Sequence, residues 1–233
     1  MLKIENMKNW RSIFGLAALT VGLASCGELF EVEEVPEQAA VADIAMGRHT
    51  VDLMVGDSYT LPATITPDSL INKGLFWEVA DTNIVSIDNG TIMAKAPGET
   101  AVRVTAVAGM KNDTCHVNVH RWDFDPYQFR YDMVIYADVT VGGKAPESGT
   151  MVAAFGYDET GAQQIRGLGV MRQAGDKKYM QLRLYSNEEA GETLTLCCYD
   201  RNRLLVVESK ERVGFDSNAT LGTLSMLFDI TFE

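Results

Sequence analysis

The sequence predicts an all-β protein: two tandem antiparallel β-sandwiches that follow an N-terminal processing segment and an acidic linker. Two observations support this fold class. Short stretches of alternating apolar and polar residues recur from about residue 42 to the end, as half-buried strands require. Turn residues (Gly, Asn, Asp and Pro) separate these stretches at intervals of about 8–12 residues, which is typical of a sandwich. The second half of the chain shows no convincing helical segment.

Composition narrows the classes of partner and cofactor. The chain has 233 residues and carries 20 Lys+Arg against 32 Asp+Glu, a formal net charge of −12. Nucleic-acid binding needs a basic face, so nucleic acid is excluded as a partner. Only 3 His and 4 Cys are present, too few for a rich metal or disulfide framework. We therefore expect no cofactor and no metal.

Residues 1–25 have the features of a signal peptide. Three cations near the start precede the uncharged stretch Ile13–Ser25. A bilayer-spanning helix needs about 20 apolar residues, so this stretch fits a signal-peptide core better than an anchor. It ends in Leu23-Ala24-Ser25-Cys26, which resembles the bacterial lipobox. The resemblance implies removal of residues 1–25, lipidation of Cys26 and anchoring in the outer membrane; an ordinary secretion signal is the alternative.

Residues 26–41 are predicted to be an acidic, flexible tether. No Lys or Arg occurs between Gly27 and Gly47, while several Glu do, so mutual repulsion predicts an extended, solvated segment. Cleavage before Cys26 leaves 17 Lys+Arg against 31 Asp+Glu, a net charge of −14. The segment is similar to the acidic export signal that follows the lipidated Cys in surface lipoproteins of some Gram-negative anaerobes, which implies exposure at the cell surface. A plain acidic linker is the alternative.

Residues 42–120 predict the first sandwich, with about seven strands in about 80 residues. Asn89-Gly90 predicts a tight hairpin because both residues tolerate positive φ. Trp77, in the centre of its strand, is expected to fill the space between the sheets. The predicted strands are 50–55, 59–65, 75–79, 84–87, 91–95, 101–106 and 114–119.

This region resembles the group-2 bacterial immunoglobulin-like (Big) family of surface proteins and adhesins. The resemblance rests on several motifs that occur in order along the chain. They are Val55-Gly56-Asp57, Leu61, Thr66-Pro67, Trp77, Val85, Asp88-Asn89-Gly90, Ala94, Pro97-Gly98 and Cys115-x-Val117-x-Val119. The resemblance implies an immunoglobulin-like sandwich that acts by binding rather than catalysis.

Residues 121–233 predict a second sandwich. The predicted strands are 127–133, 150–155, 164–172, 178–185, 193–199, 204–208 and 223–232. The 153–155 strand, the Asp158-Glu159 turn and Arg166-Gly167 resemble a domain found in surface proteins of Gram-negative gut and oral anaerobes. That resemblance concerns the fold and implies no ligand.

Catalytic motifs are missing, and we predict that the protein is not an enzyme. No Gly-x-Ser-x-Gly occurs, and no glycine-rich loop has phosphate-binding or dinucleotide-binding spacing. His116 and His120 lie on or just past a strand, about 13 Å apart, which is too far for one metal ion. Cys198 is predicted to be buried and inert. After lipidation of Cys26, an odd number of thiols remains, and a bridge among Cys115, Cys197 and Cys198 stays an open question.

The stretch between the modules is the predicted contact surface. Alternation places Tyr127, Phe129, Tyr131 and Met133 on one face, which a core would bury. Trp122 and Phe124 lie outside this register, so they are predicted to contact a ligand together with Asp123 and Asp125. A calcium ion at Asp123 and Asp125 is the less favoured alternative.

A modification site is predicted in the first module. Asp68-Ser69-Leu70 resembles a short O-glycosylation acceptor, which implies a glycan on Ser69. An unmodified turn serine is the alternative.

The two leading functions share the lipid anchor. The first is a non-enzymatic cell-surface protein of adhesion or surface assembly. The second is a glycan-binding lipoprotein of a polysaccharide-uptake system. In both cases, the partners of the protein would be the membrane, through the lipid, and a protein or glycan ligand.

Overall fold

A computed structural model of the chain describes residues 43–68 and 74–233. Within these ranges the chain forms 17 β-strands and one short 3-10 helix, so the predicted all-β fold class is confirmed. In the same ranges, no helix is long and apolar enough to cross a bilayer. Cys26 and Ser69 lie outside the described residues, so lipidation and O-glycosylation stay predictions.

Residues 43–120 form nine strands in three sheets. These are β1 (Asp43–Met46), β2 (Thr50–Met54), β3 (Ser58–Thr60), β4 (Ala63–Thr66), β5 (Leu75–Val79), β6 (Val85–Asp88), β7 (Thr91–Ala94), β8 (Gly98–Ala106) and β9 (Asn112–His120). One sheet has the order β2-β9-β8-β5, a second has β3-β7-β6, and β1 pairs with β4. Alternation turns one face of each sheet inward, and the inward residues form a single core. It includes Val51, Leu53, Val85, Ile92, Val102, Val104 and Val117.

The Asn89-Gly90 hairpin is confirmed. Both residues have positive φ (46° and 80°), and Asp88 pairs with Thr91 across the turn. Gly90 is needed for a second reason: a Cβ there would lie 2.8 Å from the Trp77 ring. Trp77 packs against the core but stays half-buried, so it fills less of the interior than predicted.

The strand predicted over 59–65 is wrong in extent, because it is two strands in different sheets. β3 pairs with β7, whereas β4 pairs with β1. Pro62 separates them, and proline has no N–H to donate to a ladder. The chain therefore changes sheets at this point.

Residues 131–233 form eight strands in one sheet. These are β10 (Tyr131–Val141), β11 (Met151–Tyr157), β12 (Gln163–Ala174), β13 (Lys177–Ser186), β14 (Ala190–Asp200), β15 (Leu205–Asp216), β16 (Thr220–Leu221) and β17 (Phe228–Phe232). The order is β15-β14-β11-β12-β13-β10-β16, and β17 also pairs with β10. The inward residues form a second core that includes Met133, Ile135, Val152, Leu182, Leu184, Leu196, Phe215 and Phe232.

The sequence predicts antiparallel sheets, but three strand pairs among the described residues are parallel. β2 pairs with β9 in parallel, and β16 and β17 both run parallel to β10. The two sides of the eight-stranded sheet approach each other, since Lys210 on β15 forms an ion pair with Glu233, directly after β17. The division at residue 120 into two domains stays a prediction, because a third apolar cluster joins Met54 of the first region to Trp122, Ala153 and Tyr199 of the second.

Candidate functional site

Trp122 is buried, contrary to the predicted exposure. Only 8% of its surface is accessible, and its ring packs edge-on against Phe155 at 5.7 Å between centroids. The physical reason is that the segment after β9 crosses the outer face of the sheet that contains β11. That face carries Ala153 and Phe155, which need an apolar cover.

Phe124 also packs against the eight-stranded sheet. It is half-buried, and its ring lies 5.5 Å from that of Tyr185. Phe129 contacts the same tyrosine and lies under the guanidinium of Arg166, at 4.9 Å. These rings therefore fasten the connecting segment to the sheet, so Phe124 has less free surface for a ligand than predicted.

Asp123 and Asp125 are exposed, as predicted. The Asp125 carboxylate accepts a hydrogen bond from the Tyr127 amide (3.0 Å) and caps the 3-10 helix Pro126–Gln128. Within the described ranges, no group of three or more His, Cys, Asp or Glu side chains is placed to hold a metal ion.

The prediction that Tyr127 lies in the core is wrong. The ring is 95% exposed, whereas Met133 is buried as predicted. Pro126 begins a 3-10 turn, and β10 starts only at Tyr131, so strand alternation does not extend back to residue 127.

The two regions meet at Asp52, on β2. This buried carboxylate accepts hydrogen bonds from Nε2 of His120 (2.8 Å), from Asn118 (3.1 Å) and from the Val206 amide (3.0 Å). The Asp52 amide in turn donates to the Leu204 carbonyl (2.8 Å). One acid therefore bonds to both regions.

Leu204 continues this junction. It lies in the turn between β14 and β15, yet its side chain is part of the first core and only 7% exposed. Its φ is 52°, a left-handed conformation that costs a non-glycine residue about 1–2 kcal/mol. Burial of the side chain offsets this strain. Beside it, the Tyr199 hydroxyl donates to Asp57 (2.8 Å), and Arg201 pairs with the same carboxylate.

Acid should weaken the junction through Asp52. Burial alone would raise the pKa of this carboxyl, but the hydrogen bonds from His120, Val206 and Asn118 outweigh it and lower the pKa below 3.8. A lowered folded-state pKa means that the stabilisation is complete above about pH 4 and is lost as the pH falls through the folded pKa. Asp52→Asn should therefore cost about 1.5–3 kcal/mol at pH 7 and progressively less below pH 4.

Urea unfolding of the wild type and of Asp52→Asn between pH 3 and pH 7 measures this difference. The comparison with the variant removes the contribution of the other acids that titrate in the same range. A difference that stays constant down to pH 3 would contradict the assignment.

The two histidines are apart, as the strand geometry predicts. His116 is exposed on β9, while His120 at its end bonds to Asp52. Cys198 is fully buried, as predicted, and burial raises the pKa of its thiol to about 12. Burial also raises the pKa of Cys115 and Cys197 to about 11. All three are free thiols, so the structure contains no bridge among them.

An open cleft lies at the other end of β14 from Leu204. Its volume is about 780 Å³. Its walls are the turn after β11 and the turn between β13 and β14. Its lining residues are Tyr157, Asp158, Glu159, Thr160, Gln164, Arg166, Ser186, Asn187, Glu188, Ala190, Gly191, Glu192 and Thr193.

A bonded polar network forms the floor of the cleft. The buried Arg166 guanidinium donates to Glu192 (3.0 Å), to Gln164 (2.8 Å) and to the Tyr157 carbonyl (2.6 Å). The second oxygen of Glu192 accepts from the Ser186 hydroxyl (2.5 Å). The charge of Arg166 is thus neutralised inside the protein.

The rim of the cleft is acidic and carries one solvent-exposed aromatic ring. Tyr157 is 63% exposed, and Asp158, Glu159 and Glu188 are exposed beside it. Asp158 is held in its turn by Thr160 and the Ala162 amide (2.9 Å), which lower its pKa. Sequence reasoning missed this site, although Tyr157 ends an apolar strand directly before the Asp158-Glu159 turn.

No protein-family model matches the chain. An uncharacterized protein of Clostridium acetobutylicum is 28% identical over 121 residues, which covers 51% of this chain and 12% of that protein. An "Ig-like virion protein" of Serratia phage KSP90 is 33% identical over 82 residues, covering 34% of this chain and 32% of the phage protein. This chain therefore spans less than a third of the length of these two relatives.

Among solved structures, domains 4–9 of the surface layer protein SbsC are similar at 16% identity and a TM-score of 0.31. The match covers 79% of this chain and 32% of that one. A TM-score this low does not demonstrate a common arrangement. The chain is thus an all-β protein that is similar, over part of its length, to an immunoglobulin-like protein.

Proposed function

We propose that this protein is a non-enzymatic, lipid-anchored cell-surface protein that acts in adhesion or surface assembly. Cys26 would carry the lipid, residues 26–41 would be the tether, and the β modules would present the binding surface. The resemblance of residues 42–120 to group-2 bacterial immunoglobulin-like domains supports this proposal. The observation that carries it is the bonded junction between the modules.

The contacts at the junction favour a rigid arrangement of the two modules, which would hold the binding surface in a fixed orientation. Asp52 bonds to both regions, Leu204 packs in the first core, and Trp122 covers the outer face of the eight-stranded sheet. Freely jointed modules are the default expectation where an interface is small and polar. Here backbone, side-chain and apolar contacts occur together, so the second module has a defined orientation on the first.

The bonding of the buried polar groups favours a non-enzymatic protein. Catalytic acids and bases are expected to have shifted pKa values and a free position toward a substrate. Asp52 has a lowered pKa, but it bonds to His120, Asn118 and Val206 within the junction. The buried Arg166 likewise bonds to Glu192. These groups are structural.

The anchor and the surface location are tested together in cells that produce wild type or Cys26→Ser. We expect palmitate to label only the wild type, because the acylated Cys provides the anchoring chains. External protease should degrade the labelled protein on intact cells, and a periplasmic marker should survive as the control. Equal label in both proteins would contradict the anchor, and full protection from protease would contradict surface exposure.

Polysaccharide uptake is the second candidate function. The observation that favours it is the open cleft with the exposed Tyr157. Deletion of the gene separates the two functions: loss of growth on one polysaccharide supports uptake, whereas loss of attachment with normal growth supports adhesion.

A further inference from the structure

The cleft has the dimensions of a small-molecule site. A volume of about 780 Å³ lies within the range of ligand pockets, about 300–1,000 Å³. It is an open cleft rather than an enclosed cavity, so a chain-like ligand can extend beyond it. A single ion would leave most of this space to water.

The floor of the cleft is preorganised. Arg166, Ser186 and Glu192 hold one another by hydrogen bonds, and Phe129 packs on the guanidinium. No buried side-chain polar atom in the described residues lacks a partner. The floor can therefore meet a ligand without rearranging, which lowers the entropic cost of binding.

The charges of the cleft exclude anionic ligands. Its lining holds four carboxylates, on Asp158, Glu159, Glu188 and Glu192, against the single guanidinium of Arg166. That guanidinium already pairs with Glu192 at 2.9 Å. Phosphates, sulfated glycans and uronic acids would therefore be repelled at the rim.

The remaining groups fit a neutral sugar. A pyranose ring has an apolar face, which an exposed aromatic ring can cover, and hydroxyl groups, which carboxylates and amides bond in a directional way. Tyr157 supplies the ring, while Glu159 and Glu188 supply exposed carboxylates. Gln164 and Asn187 add amides to the same cleft.

We infer that this cleft binds a short neutral oligosaccharide, with one sugar ring stacked on Tyr157 and hydroxyls donating to Glu159 and Glu188. The inference rests on the proposal that the protein acts by binding, and it is independent of the lipid anchor. It gives the second module a ligand-binding end, away from the junction with the first.

Isothermal titration calorimetry on the detergent-solubilised full-length protein tests the inference. The probes are neutral gluco-, manno- and xylo-oligosaccharides of about four to six units. We expect at least one series to bind and Tyr157→Ala to weaken that binding at least about tenfold, because the ring supplies most of the apolar contact. Glu188→Ala should weaken it as well.

Tyr127→Ala is the matched control, because Tyr127 is also an exposed tyrosine but does not line the cleft. It should bind like the wild type, and all three variants should keep the wild-type melting temperature. Binding should be unchanged between 50 mM and 500 mM NaCl, since a neutral ligand makes no ion pair.

Three results would overturn the inference: no binding by any of the three series, equal binding by Tyr157→Ala, or binding that an oligolysine peptide shows and the sugars do not. The last would indicate a cationic partner for the acidic rim. None of these results bears on the lipid anchor, which the labelling of Cys26 tests separately.

Discussion

Replacing Trp122 with alanine is expected to lower the free energy of unfolding by about 3–5 kcal/mol, the usual cost of removing a buried aromatic side chain. The ring is 8% exposed and fills the apolar cluster that contains Phe155 and Tyr199. Its removal would leave a cavity between the connecting segment and the eight-stranded sheet. Urea unfolding followed by tyrosine and tryptophan fluorescence measures the loss.

Phe76→Ala is the control for the Trp122 variant. Phe76 lies on β5 and is 57% exposed, so its removal should change the stability by less than about 0.5 kcal/mol. Wild-type stability of Trp122→Ala would show that the ring does not pack in solution. It would then be available to a ligand, as the sequence alone predicts.

Leu204→Ala is expected to cost about 2–5 kcal/mol and to loosen the junction. The side chain belongs to the first core, although its backbone lies in the turn between β14 and β15 of the eight-stranded sheet. Alanine keeps the strained left-handed backbone but loses the burial that offsets it. Because each region has its own core, we also expect two unfolding transitions in Leu204→Ala, whereas the intact junction should give the wild type a single one.

Leu224→Ala is the matched control, since Leu224 is 46% exposed. It should unfold like the wild type. Differential scanning calorimetry distinguishes the outcomes. A single transition in Leu204→Ala, displaced no more than in Leu224→Ala, would show that the junction does not couple the two regions.

The cores and most strands could be predicted from the sequence, because alternation is a local property of the chain. Val102 and Val104 on β8, or Leu194 and Leu196 on β14, point inward whichever partner strand covers them. Asn89-Gly90 specified its hairpin through its own backbone freedom. The same rule placed Cys198 in the interior.

Strand alternation did not predict the surroundings of residues that lie outside the strands. Alternation predicts a strand face for Tyr127, but Pro126 starts a turn, so the strand does not extend back to this residue. Trp122 follows a strand and has no period of its own, so its surroundings depend on β11, which begins only at Met151 and carries Phe155. Its burial is decided by which surface needs an apolar cover, and that is a tertiary property.

The junction and the cleft were decided only by the tertiary structure. Asp52 and Val206 are 154 positions apart, and Arg166 and Glu192 are 26 apart. No local pattern identifies such pairs, because the sequence around a carboxylate in a strand can be the same whether that carboxylate faces water or a distant amide. The sequence determined which residues form strands and which faces are apolar; the packing of those strands determined which polar groups meet and where a cleft stays open.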